Sequence, residues 1–364
     1  MAKRKLTLVL SIVGARPNFV KLAPLREPLA KSYKHVIVHT GQHYDSEMSR
    51  IFFERLEIPK PKYNLQVGSG PQGYQLGEMV KRVECVLLKE KPDLVIVYGD
   101  TNSALAGALA SVKLQIPTAH IEAGLRSYDM NMPEEINRVL TDQVSQYLFA
   151  PTRTAVNNLG REHVQGRIYL TGDVMVDILK DTLPVAEEKS EILEKLQLKP
   201  KQYILETIHR AENTDIKQRL KNIVQALTKI KETIVFPAHP RTRKTLQELK
   251  LENRIRASSN VKLIEPLGYL DFINLERNAK KIITDSGGVQ KEAYLIGIPC
   301  ITLRDRTEWI ETVSEGWNIL VDVNVSAILD AVEKFNPSKP RKRIFGEGRA
   351  SEKIVKILRN NFAV

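Results

Sequence analysis

The feature that most constrains this chain is an alternation of short apolar, β-rich runs with helix-length segments, repeated in two series. The first series runs through residues 6–13 (LTLVLSIV), 35–39 (HVIVH), 93–99 (DLVIVYG), 118–123 (TAHIEA) and 147–151 (YLFAP). Continuous runs of this kind suit strands buried on both faces. Between them lie Gln72–Glu90, Asn102–Leu114 and Glu134–Ser145, and this βαβα rhythm predicts a parallel sheet covered by helices. A second series begins at Tyr203 with YILETI, TIVFPAH, VKLIEP, KIITDSGG, PCITL and NILV. A length of 364 residues suits two such domains. The expected fold class is therefore α/β, with two Rossmann-like doubly wound domains facing a cleft. The first domain spans 1–175 and is joined by a closing helix within 346–364; the second spans 176–345. The charged stretch Asp181–Lys201, with Pro184 and Pro200, reads as helix plus hinge. Ligands of doubly wound folds bind beyond the carboxyl ends of the strands, so functional residues should follow strands directly.

Composition narrows the class. Hydrophobic residues at 42% and aromatic residues at 6% describe a globular protein with a full core. Cys85 and Cys300 have no CxxC or CxxH neighbour, which implies neither a disulfide framework nor a structural zinc; both read as buried thiols. No segment reaches the roughly 20 apolar residues of a membrane span, and the apolar start runs into Gly14-Ala15-Arg16-Pro17 without a cleavage pattern. The expected location is the cytoplasm. The net charge of +12 allows an anionic partner, but Lys3-Arg4-Lys5 and Lys339–Arg343 are short, lack interleaved aromatics and read as solvated charge, with no nucleic acid implied.

Several residues stand directly after the strand-like runs. Arg16, at the turn after the first run, suits a phosphate because it is always charged and forms paired hydrogen bonds; a tight turn with a solvated arginine reads equally well. Lys21, one turn on, offers a second cation, although its spacing favours the surface. Asp100 and Glu122 end VIVYGD and AHIEAG, where partial burial makes a carboxylate useful as an acid or base. For Asp100 a helix-capping role stays open. In Met132–Arg138, Pro133 and two glutamates suit a helix start, which accounts for one acid and leaves Glu134 available. His209 and Arg210 follow the first run of the second series and suit a pyrophosphate. His239 is ambiguous between an anion site and a structural turn. Asp285-Ser286-Gly287-Gly288 opens a helix whose N-terminus offers unhindered N–H groups to a phosphate, and Glu292 one turn on suits ribose hydroxyls. GxGxxG after the first strand and GxxxxGK[ST] are both missing, which disfavours NAD and ATP and leaves a nucleoside diphosphate.

Taken in order, GARP, VYGDT, HIEAGLRS, MPEEINR, HRAEN, DSGGVQKEA and LRDRTEW resemble the non-hydrolysing UDP-N-acetylglucosamine 2-epimerases over nearly the whole chain. The resemblance implies a GT-B-like fold, as in inverting two-Rossmann glycosyltransferases, a homodimer, a UDP-sugar substrate, and no metal or redox cofactor. It implies elimination of UDP to an enzyme-held glycal and re-addition with inversion at C2. Carried over by motif, Asp100, Glu122, Glu134 and His209 are the catalytic residues. Arg16, Ser286, Gly287 and Gly288 match phosphate contacts, Glu292 the ribose contact, and Arg138 and Arg304 substrate-site cations, to which the reading of the residues adds Lys21 and Arg210.

Three segments depart from the common bacterial pattern. Thr307-Glu308-Trp309 stands where TERPE is usual and resembles relatives acting on a UDP-2,3-diacetamido-glucuronic acid. His239-Pro240-Arg241-Thr242 replaces HLNP, and Gln42-His43-Tyr44-Asp45 replaces QHRE, in the region where bacterial members hold an activating second UDP-sugar. The rival readings are a glycosyltransferase of the same architecture, a hydrolysing relative, and a non-catalytic UDP-sugar sensor.

Overall fold

The computed structural model describes residues 7–42 and 58–362. The basic run at 3–5 and His43, Tyr44 and Asp45 lie outside them. The chain divides into two compact units, one of residues 1–178 with 343–364 and one of 179–342.

The first unit is built on a seven-stranded sheet in the order β3-β2-β1-β4-β5-β6-β7. Its strands are β1 (Leu8–Val13), β2 (Lys34–His39), β3 (Tyr63–Asn64), β4 (Leu94–Tyr98), β5 (Thr118–Ile121), β6 (Tyr147–Ala150) and β7 (Arg167–Leu170). Every pairing is parallel. Leu94 to Tyr98 are all fully buried, as expected for a central strand covered on both faces. The helix Gln72–Glu90 shows why sequence periodicity works here, since Gln75, Met79, Val83, Val86 and Leu87 form its buried stripe. Cys85 lies on the outer face of that helix and is exposed, which corrects its reading as a buried thiol. The end helix Ala350–Phe362 buries Ile354, Val355 and Leu358, and its first N–H groups are capped by Asp177, at 3.1 and 2.8 Å from Ala350 and Ser351.

The second unit carries a six-stranded parallel sheet ordered β10-β9-β8-β11-β12-β13. Its strands are β8 (Tyr203–Thr207), β9 (Thr233–Pro237), β10 (Val261–Ile264), β11 (Lys281–Thr284), β12 (Cys300–Thr302) and β13 (Asn318–Leu320). The order is that of a doubly wound nucleotide-binding sheet, with its switch point between β8 and β11. In the first unit the same reversal falls between β1 and β4. The stretch 181–201 is mostly helix, because the helix Val174–Lys189 continues through Pro184 and is followed by the short helix Ile192–Lys195.

One core residue of the second unit breaks the apolar rule. Glu206 of β8 is fully buried, alternates into the same layer as Ile204 and Ile208, and neither of its carboxyl oxygens has a hydrogen-bond partner. Burial, reinforced by the negative charge of Asp285, pushes its carboxyl well above the ordinary 4.5. The unfolded chain loses this proton near pH 4.5 while the folded one keeps it, so the residue's unfavourable contribution grows as pH rises from 4.5 towards the folded value. Glu206→Met, close in volume, should therefore stabilise the protein by about 1–3 kcal/mol. Thermal melts should show a larger gain at pH 8 than at pH 5; a loss, or a gain independent of pH, contradicts this account.

Candidate active site

The first group of side chains gathers at the carboxyl ends of β1, β4 and β5. Gly14 leaves β1 where a Cβ would meet Thr40 Oγ1 at 2.0 Å and Ser103 Oγ at 2.1 Å, so the turn tolerates only glycine. The N–H groups of Gly14 and Ala15 donate to Asn18 Oδ1 at 3.1 and 3.0 Å, which fixes the entry to the helix Arg16–Ser32. Arg16 is exposed at the first position of that helix. Lys21, further along it, is buried and pairs with Glu122 Oε2 at 2.8 Å. The spacing-based expectation of a surface lysine is thus overturned: the helix turns Lys21 inward over Gly99, whose added Cβ would lie 2.9 Å from Lys21 Nζ and 3.3 Å from Glu122 Oε2.

Glu122 itself is 7% exposed and has a φ of +71°, in the left-handed region that a glutamate rarely adopts. Such backbone strain clusters at functional sites, where neighbouring structure enforces it. Asp100, just after β4, does not cap the following helix; Thr101 does, accepting from Ala104 N. The Asp100 carboxylate instead accepts from Arg138 Nη2 at 2.5 Å. Arg138 is buried and also pairs with Glu135 Oε2 at 3.1 Å. Glu135 is the acid the fold absorbs, since it accepts from Ser127 N and Oγ and from Tyr128 N, each at 2.9 Å. Glu134, its neighbour on the helix Pro133–Val144, is half-buried.

Beneath these acids lies a buried network that motif reading missed. His120 of β5 contacts Asp142 Oδ1 through Nδ1 at 2.7 Å and the Gly99 carbonyl through Nε2 at 2.8 Å. Asp142 also receives Arg126 Nη1 at 2.8 Å and Gly124 N at 3.0 Å. Burial opposes ionisation of Asp142, but His120 and Arg126 outweigh it and hold the carboxyl below the ordinary carboxylate value. The available signal was a histidine inside an apolar strand, two residues before an acid.

The second group occupies the switch point of the second unit. Asp285, fully buried after β11, accepts from the N–H groups of His209 and Arg210 and from Asn213 Nδ2, at 3.1 to 3.2 Å, and so shapes the whole HRAEN turn. His209 remains about half exposed, its Nδ1 3.5 Å from Asp285. Ser286 caps the helix Gly287–Ile296 through Val289 N. A Cβ on Gly287 would lie 2.0 Å from Glu308 Oε1, whereas one on the exposed Gly288 would make only an ordinary contact with Ser286 Oγ at 3.8 Å. Glu308 pairs with Arg304 Nη1 at 3.1 Å and Arg210 Nη2 at 3.6 Å, and Arg304 also reaches Glu212 at 3.0 Å. Glu292 is buried and accepts from Tyr269 Oη at 3.3 Å. The Lys291 ammonium sits 4.2 Å over the Trp309 ring. His239 is an N-cap, its Nδ1 accepting from Arg241 N at 3.3 Å, which favours the structural-turn reading.

Among the described residues no cluster of His, Cys, Asp and Glu could hold a metal ion, and no helix is long and apolar enough to cross a membrane.

A family model described as UDP-N-acetylglucosamine 2-epimerase matches residues 28–359. The chain is 57% identical over 354 residues to a UDP-N-acetylglucosamine 2-epimerase homolog of Methanococcus maripaludis, covering 97% of this chain and 99% of that one. It is 45% identical to the UDP-2,3-diacetamido-2,3-dideoxy-D-glucuronate 2-epimerase of Pseudomonas aeruginosa, covering 96% and 99%. The crystal structure of Methanocaldococcus jannaschii UDP-GlcNAc 2-epimerase in complex with UDP-GlcNAc and UDP superposes with a TM-score of 0.89 at 49% identity, covering 98% and 99%. The two-Rossmann fold class expected from the sequence is the fold of these relatives.

Proposed function

The chain belongs to the UDP-N-acetylglucosamine 2-epimerase family, and from that membership and the geometry above we propose that it interconverts UDP-N-acetylglucosamine and UDP-N-acetylmannosamine through a 2-acetamidoglucal. The observation that carries the reading is the pair of carboxylates at neighbouring strand ends, Asp100 against Arg138 and Glu122 against Lys21. The C2 proton has no adjacent carbonyl to acidify it. It departs only as the C1–O bond to UDP breaks and the ring gains oxocarbenium character, so stabilising the leaving diphosphate is part of the catalysis. The electron pair of the C2–H bond becomes the C1=C2 double bond, and the proton passes to a carboxylate. Re-addition of UDP at C1, with a proton delivered to the other face of C2, gives the epimer. Two faces need acid or base groups on both sides of the sugar, and Asp100, Glu122 and Glu134 supply them.

In the second unit, Ser286 and Gly287 at the helix N-terminus, with Gly288, Arg210 and Arg304, suit the diphosphate. His209 stabilises the leaving phosphate and Glu292 receives the ribose. Arg16 and Lys21 add positive charge in the first unit, where Arg138 orients Asp100. The proposal extends to a cytoplasmic homodimer, for which Leu88, Val112, Ile136 and Leu140 offer apolar surface on three helices, the middle one, Asn102–Lys113, packing against the other two. No redox cofactor enters the scheme.

A second reading rests on the Pseudomonas aeruginosa relative and on Thr307-Glu308-Trp309: the same chemistry on a UDP-2,3-diacetamido-glucuronic acid. Each UDP-sugar should be supplied separately without acceptor, and products resolved by phosphorus NMR. Conversion of UDP-N-acetylglucosamine to a second UDP-sugar supports the main reading. Conversion of only the diacetamido-uronic acid transfers it to the second. Release of UDP with a free sugar defeats both in favour of hydrolysis.

A further inference from the structure

We propose that His120 is a positioning residue for this epimerisation, a buried imidazolium that locks the ends of β4 and β5 and thereby fixes the spacing of Asp100 and Glu122. The role rests on the epimerase reading; the protonation state does not. His120 is fully buried, and its two ring nitrogens face a carboxylate oxygen of Asp142 at 2.7 Å and the carbonyl oxygen of Gly99 at 2.8 Å. A carbonyl and an ionised carboxylate only accept, so both nitrogens must donate and the ring carries both protons. Asp142 is ionised because donors converge on it: Arg126 at 2.8 Å and the Gly124 N–H at 3.0 Å, besides His120.

The charges facing this ring balance. Arg126, from the loop after β5, also forms a bond to Glu162 at 2.6 Å, so two cations, His120 and Arg126, meet two anions, Asp142 and Glu162. A buried charge is tolerated when it is paired and hydrogen-bonded in this way. The Lys21–Glu122 pair, 2.8 Å apart, lies beyond Gly99.

The lock acts on the backbone that carries the acids. Gly99, at φ +63°, directly precedes Asp100; its N–H donates to the Ile121 carbonyl at 2.9 Å and its own carbonyl accepts from His120. His120 and Ile121 in turn directly precede Glu122. The helix Pro133–Val144 completes the frame, because Arg138 reaches Asp100 and Asp142, one turn later, reaches His120. His120 touches neither catalytic carboxylate, so its effect is on geometry.

The test uses the full chain labelled with 15N-histidine. Long-range proton–nitrogen spectra, assigned by the missing signal in His120→Gln, should show both His120 nitrogens protonated. A nitrogen at the unprotonated shift overturns the imidazolium whatever the enzyme turns over. In kinetics, His120→Gln, or Asp142→Asn where the first variant does not fold, should lower kcat by about 100-fold, the scale set by misplacing reacting groups by an ångström. KM and UDP affinity should stay within about twofold. A wild-type kcat in the variant, or a raised KM with kcat unchanged, overturns the positioning role. A wild-type protein that exchanges no C2 proton on either UDP-sugar refutes the epimerase reading instead, and the positioning role falls with it.

Discussion

Glu122→Gln is expected to reduce turnover by about 10²–10⁴-fold, the range lost with a general acid or base, while UDP affinity stays within about twofold. Glutamine keeps the shape of the side chain and can still accept a hydrogen bond from Lys21, so the 2.8 Å contact survives in weakened form. It cannot take up a proton. The residue sits at φ +71° beside Gly99, a conformation that costs stability and that neighbouring structure has to enforce. If that strain serves only folding, the isosteric change should be nearly silent in kcat. Steady-state kinetics with a direct UDP-binding measurement separates the cases, and a loss below tenfold removes Glu122 from proton transfer. Asp100→Asn should behave likewise, because the amide retains an oxygen for Arg138 at the cost of the charge.

Arg304→Met is expected to lower folding stability by about 3 kcal/mol and to abolish measurable UDP binding. Arg304 is 1% exposed and compensates Glu308, itself buried. Removing one partner of a buried ion pair strands the other charge, typically at a cost of 3–5 kcal/mol. The lower end applies because Arg210 remains 3.6 Å from Glu308. The double variant Arg304→Met with Glu308→Leu should recover most of the stability, since a buried pair replaced by apolar side chains of similar volume is often neutral. It should not recover UDP binding if Arg304 serves the diphosphate. Denaturant melts and calorimetric titration with UDP test both halves, and UDP binding by the double variant contradicts the assignment.

The strands legible in advance were those buried on both faces, such as Leu94–Tyr98, where continuous hydrophobicity leaves little choice. The edge strands of the first sheet were not, whereas β10 and β13, the edges of the second, were read from VKLIEP and NILV. Arg167–Leu170 has no fully buried residue and Tyr63–Asn64 spans only two, so neither carries an apolar signal. Residues placed by a strand end, such as Asp100 and Glu122, could be picked out because chain direction and sheet topology put strand ends at the ligand-binding edge. Their partners could not. Lys21 reads as surface until its helix is docked, and Asp142 and Glu135 look like ordinary helix acids until loops 18 or fewer residues away fold onto them. The capping question at Asp100 was likewise decided by a neighbour, Thr101, whose hydroxyl reaches Ala104 N and frees the carboxylate for Arg138. Local sequence names the donor and acceptor types; which of them meet depends on contacts distant in sequence.

Epimerisation by this chain requires that the C2–H bond of a UDP-sugar be broken and remade. The purified protein should be incubated with UDP-N-acetylglucosamine in deuterium oxide, with no metal or acceptor added, and the C2 position followed by proton NMR. The expected result is loss of the C2 proton signal together with the appearance of the manno epimer carrying deuterium at C2. A protein that binds UDP yet leaves C2 fully protonated, with this sugar and with the diacetamido-uronic acid alike, is no epimerase of either.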